Sequence, residues 1–79
     1  MIATLSAVER TVPIRGETIR LGQLLKLSGA AGDGVEAKAR IVAGDVTVNG
    51  EPELRRGRQL HNGDRVAVGG EELLIVAGG

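Results

Sequence analysis

The chain is predicted to form an α+β domain, two short helices packed on a small, mainly antiparallel sheet. Three observations point there. Leucine and isoleucine recur at helical spacing in two adjacent segments, valine alternates at strand spacing in the second half, and glycine or a charge closes almost every segment. In LGQLLKLSG, Leu21, Leu24 and Leu25 stand at i, i+3 and i+4 with Gly29 as a stop, which predicts a helix over 21–28. In DGVEAKARIVAG, Asp33 and Glu36 have capping-box spacing, and Gly44 suits a C-terminal stop, which predicts a helix over 34–43. The glycine-rich SGAAGDG between them predicts a bend.

Strands are expected at about 45–48, 65–68 and 72–76. Asn49-Gly50 reads as a tight hairpin turn after VTV, and HNGD and VGGEE supply two more turns. Upstream, Val12 and Ile14 alternate around Pro13, a pattern fit for an edge strand. Residues 1–10 show no clean period and are expected as a flexible lead-in, leaving 11–79 as a single domain.

At 79 residues such a core is only just sufficient, and it is wholly aliphatic, because the chain has no Phe, Tyr or Trp. With no cysteine, neither disulfides nor thiolate metal sites are available. No run approaches the length of a membrane span, and the N-terminus lacks the pattern of a secretory signal, so a cytoplasmic protein is expected.

Catalysis finds little support. The single histidine, His61, lies in a turn, where it reads as a solvated residue, and Asp64 reads as an Asx-type turn acceptor. Metal-ligand spacing, a P-loop and GxGxxG are all missing, so no cofactor, metal or small-molecule substrate is expected.

The basic residues carry more. Net charge is zero, yet Arg55, Arg56 and Arg58 put three of the ten basic residues within four positions around Gly57. An arginine's planar fork matches phosphate oxygens, and a glycine among arginines allows close backbone approach. The bland alternative is a solvated loop offset by Glu51 and Glu53. Arg40 follows Glu36 by four positions, the favourable order for a helical ion pair. Lys38 and Lys26 have no acid at i±3 or i±4 on their own helices.

From Arg20 to Val68 the order of elements resembles the S-four (alpha-L) RNA-binding domain. The matching residues are Arg20-Leu21, Leu24-Leu25, Glu36-Ala37-Lys38, Ile41, Gly44, Val46, Val48-Asn49-Gly50, Leu60 and Gly63-Asp64. In that family, basic side chains of the helical pair and of the loop after the Asn-Gly turn face one groove. The resemblance therefore implicates Arg20, Lys38, Arg55, Arg56 and Arg58, with Lys26 and Arg40 less directly matched. Two positions depart from the pattern. Gly22 stands where an acid often follows the Arg-Leu pair, and Asp33-Gly34 replaces a common Ser-Arg. The extra strand in VGGEELLIVAGG is similar to small free-standing bacterial members rather than to domains appended to pseudouridine synthases or tyrosyl-tRNA synthetases. An RNA-binding protein, ribosome- or tRNA-related, is what the resemblance implies. Without aromatics to stack bases, structured RNA read by phosphate and shape is the expected partner. The arginine loop is expected to be exposed, so that replacing its arginines leaves folding intact.

A second resemblance competes. The terminal Gly78-Gly79, with VNGE, HNGDRVAV and IVAGG, looks like pieces of ubiquitin-like sulfur carriers. That arrangement implies one long uninterrupted helix across 30–43. A small protein-interaction module is the remaining alternative.

Overall fold

The computed structural model describes residues 8–78. A five-stranded sheet carries the fold, in the order β1 (Val8–Pro13), β7 (Glu71–Val76), β6 (Arg65–Val68), β3 (Val46–Val48), β4 (Glu51–Pro52). A two-stranded ladder joins β2 (Thr18–Arg20) to β5 (Gln59–His61). The helices α1 (Leu21–Leu27) and α2 (Gly34–Val42) follow β2 directly. Every strand pair is antiparallel except β1 with β7, so the sheet is mainly antiparallel as expected, with one parallel edge.

The helices end where their glycines dictate. Asp33 caps α2 by accepting the Glu36 amide at 2.8 Å, while the Glu36 carboxylate reaches back to the Gly32 amide at 2.7 Å. That is the capping-box exchange displaced by one residue. At the other end Gly44, at φ 83°, donates to Ile41 O, and Asp45 donates to Arg40 O, a Schellman closure that needs the left-handed residue glycine supplies. Val48↔Glu51 pairing across Asn49-Gly50, both at positive φ, is the expected two-residue hairpin.

One face of the sheet meets the helices. Leu21, Leu24 and Leu25 of α1, Ala37 and Ile41 of α2, and Val46, Val48, Val66, Leu73 and Ile75 of the sheet are buried together. Val12 and Ile14 join them from the edge strand.

Strand β1 begins at Val8, so three residues expected as lead-in belong to the sheet; the rest of that segment lies outside the described residues. No local period could reveal this. The partner strand is the last in the chain, and the alternation is broken by Glu9, which bonds Arg65, and Arg10, which donates to the Ser28 carbonyl at the end of α1. The short strands β2, β4 and β5 were not expected either. Only Ile19 and Leu60 are apolar in the β2–β5 ladder, too few to show a period.

Replacing fully buried Ile41 with Ala should cost ~2–5 kcal/mol, read as a lower melting midpoint, whereas an unchanged melting curve would remove Ile41 from the core.

Candidate functional site

The loop between β4 and β5 is built around one carboxylate. Glu53 is only 7% exposed and is the single buried charged residue among the described residues. Its Oε1 accepts from Arg58 Nη1 at 2.6 Å, and its Oε2 accepts from the Arg55 amide at 3.1 Å and Arg55 Nε at 3.2 Å. The Arg58 amide closes the turn by donating to Arg55 O. The Arg58 guanidinium, then the Arg55 amide and guanidinium, hold the Glu53 carboxyl at about 2 against an ordinary 4.5, although burial opposes its ionisation.

The same loop is fastened to the start of α1. That helix has no side-chain cap; instead Leu21 N donates to Arg58 O and Gly22 N to Arg56 O, both at 2.9 Å. Loop carbonyls thus satisfy two of the N–H groups a helix start leaves without partners. A Cβ on Gly22 would lie 3.5 Å from Arg56, an ordinary contact, so space alone does not demand the glycine.

Between loop and helices lies a depression of about 280 Å³ lined by Arg20, Lys26 and Arg56 together with Gly22, Gly34 and Gly57. Arg20 arrives as the last residue of β2, Lys26 from the exposed side of α1, and Arg56 from the top of the loop. Among the described residues none of these three cations has an ion-pair partner within 4 Å, and no carboxylate lines the depression. The glycine wall leaves backbone open to a ligand. What such a surface can do chemically is attract and hold anionic oxygens.

The other basic residues singled out in the sequence stand apart. Arg55 and Arg58 are engaged by Glu53, so the loop is not a run of free like charges and two of its three arginines hold it together. The expectation of an unpartnered, like-charged loop is therefore corrected. The offset foreseen from Glu51 and Glu53 comes from Glu53 alone. Arg40 lies 3.8 Å from Glu36, the expected i, i+4 pair, with its guanidinium near Gly69 in the β6–β7 turn. Lys38 is exposed on α2 but does not line the depression. Missed altogether were Glu53 as the organiser and Gln23 in the depression wall. A signal for Glu53 existed: an acid two and five residues ahead of two arginines beyond a hairpin.

His61 and Asp64 serve the turn. Burial disfavours the Asp64 anion, but the His61 amide at 2.7 Å and the Asn49 side-chain amide at 3.1 Å outweigh it and keep its carboxyl below the ordinary value. Asn49 Oδ1 in turn accepts the Arg65 amide, tying two hairpins together.

A small α+β domain with a cationic depression at its strand–helix–loop junction offers a surface that can attract anionic groups. Residues 12–76 match the S4 domain, and the chain belongs to that family. Over 59 residues it is 44% identical to the "Probable ribosome maturation protein RlbA" of Bacillus subtilis (strain 168), which covers 75% of this chain and 83% of that protein. The solution structure of YbcJ from E. coli, described as revealing an alpha-L motif involved in RNA-binding, superposes with a TM-score of 0.62 at 31% identity, covering 98% of each chain. The expected alpha-L architecture is thereby found.

The depressed Glu53 carboxyl has a consequence for stability. The fold favours the anion, so the unfolded chain takes up the proton first as pH falls. The contribution is complete above about 4.5 and is lost as pH drops toward about 2. It amounts to on the order of 2–3 kcal/mol. Glu53→Gln should lower the melting midpoint at pH 7 and flatten the acid limb of the stability profile; an acid limb identical to that of the unaltered chain would contradict this.

Proposed function

We propose that the chain is an RNA-binding protein with a ribosome-related role, and that it grips phosphates of a folded RNA through Arg20, Lys26 and Arg56. The observation that carries the reading is the depression itself: among the described residues, three cations without ion-pair partners, no carboxylate in the lining, and glycine backbone, in a member of the S4 domain family. The RNA-binding motif ascribed to YbcJ and the ribosome maturation role ascribed to RlbA support it. Binding rather than catalysis is the proposed role, since among the described residues the depression is lined by charge and backbone without a hydroxyl, thiol, histidine or acid.

Structured RNA is favoured because a chain without aromatic residues has no ring on which to stack unpaired bases in succession. Lys38, one turn along α2 from Gly34, extends the same positive side. Arg55 and Arg58 contribute mainly by holding Arg56 in place, and Arg40 lies too far around α2 to contribute directly. A cytoplasmic site of action follows from the RNA partner; among the described residues no helix is long and apolar enough to cross a membrane.

The sulfur-carrier reading is not favoured. Helix α2 starts at Gly34 after a glycine-rich bend, not as one helix running from residue 30, and Gly78 donates its amide to Gly16 O.

Replacing Arg20, Lys26 and Arg56 together with Gln removes three phosphate contacts. Log affinity against log salt should flatten by roughly 2–3 units, at ~0.7–0.9 per contact, with the melting curve little changed. A retained slope would refute this assignment. Arg55→Gln with Arg58→Gln should instead first lower stability by ~1–3 kcal/mol, because a nearly buried carboxylate loses its partners.

A further inference from the structure

Strand β2 and helix α1 divide two depressions, not one. On the far side from the cationic site, a groove of about 480 Å³ runs between the end of β1, β2 and α1, lined by Ile14, Arg15, Ile19, Gln23 and Leu27. The division follows from helix periodicity. Half-buried Gly22 and exposed Lys26 form one ridge of α1 facing the cationic site, while Gln23 and Leu27, also four apart, form the next ridge facing the groove. Gln23 lines both. The neighbours Ile19 and Arg20 on β2 likewise point to opposite depressions.

The groove combines three properties. Its floor is aliphatic, and Leu27 remains 57% exposed although it is a large apolar side chain. Its edge carries Arg15, exposed and without an ion-pair partner among the described residues. Its shared wall carries a carboxamide with both donors and an acceptor. An all-apolar partner would leave Arg15 and Gln23 unanswered, and a phosphate alone would leave Leu27 and Ile19 unused. A nucleobase uses all three, because its flat face is apolar and its edge polar. Unpaired bases are held on aromatic rings or on arginine guanidinium planes, and only the second is open to this chain.

We propose that this groove receives one unpaired nucleobase of the same RNA whose phosphates lie in the cationic depression. The base rests on Leu27 and Ile19 beneath the Arg15 guanidinium, with its edge toward Gln23. The RNA partner is then a helix interrupted by a bulged or flipped-out nucleotide, not a continuous duplex. This inference rests on the RNA-binding reading, and its test separates the two.

Three RNA hairpins identical except at one position supply the probes: fully paired, with a single bulged nucleotide, and with an abasic residue at the bulge. Binding is followed by fluorescence anisotropy over a range of salt. The bulged hairpin should bind the unaltered chain roughly 3–10-fold more tightly than the abasic one, below the full effect of an aromatic stack. Leu27→Ser and Arg15→Lys should each erase that preference while leaving the abasic hairpin's affinity and the salt slope unchanged, since Arg15→Lys keeps the charge and loses only the plane. Melting curves establish that both variants fold, as expected for exposed positions. Equal affinity for bulged and abasic hairpins, or a uniform loss for all three RNAs in the variants, would overturn the base site while leaving the phosphate site standing. Failure of all three hairpins to bind the unaltered chain would overturn both.

Discussion

The cationic depression depends on a carboxylate that does not line it. Glu53 enters the interior immediately after the short strand β4, and a buried anion is costly unless fully paired. Three donors from Arg55 and Arg58 pair it. Once those two arginines are committed, the backbone between them has little freedom, and the carbonyls of Arg56 and Arg58 turn toward the bare amides at the start of α1. Arg56 is left at the crest of the loop with its side chain free. One interaction thus closes the loop, caps a helix that has no capping side chain, and brings a cation to Arg20 and Lys26.

This arrangement explains how a chain of zero net charge presents a positive face. Several of the acids are paired elsewhere. Glu9 and Glu72 meet Arg65 across three adjacent strands, Glu71 meets Arg10, and Glu36 meets Arg40. Such exposed pairs add little stability singly. They neutralise part of the sheet surface, and among the described residues they leave Arg20, Lys26 and Arg56 unpaired at the strand–helix–loop junction. Short-range capture suits that distribution better than long-range steering.

Much of the fold was legible in the sequence because its signals are local. The leucine spacing of α1, the Asp33 cap, the Gly44 stop and the Asn49-Gly50 turn each lie within a few residues of what they determine, and each stands where it was expected. What local pattern could not carry was pairing between distant segments. The parallel partnership of β1 with β7 joins opposite ends of the chain, and the β2–β5 ladder rests on one apolar residue per strand. The site was half legible for the same reason. Composition located the arginine cluster, and the family resemblance assigned it to a groove. Which arginine stays free depends on where Glu53 points, and that is fixed by burial rather than by spacing.

The division of labour among the three loop arginines illustrates a general limit on reading charge from sequence. A guanidinium serves equally well as a ligand for phosphate or as a partner for a buried carboxylate, and proximity in the chain does not decide between them. Here the deciding quantity is hydrogen bonding to a buried acceptor. The Arg58 guanidinium and the Arg55 amide and guanidinium outweigh the cost of burying the Glu53 anion, while among the described residues Arg56 is offered no acid. A loop of three free arginines would repel itself and sample many shapes. A loop with two of them anchored holds the third in a defined place, so less ordering would be left to a ligand that met it.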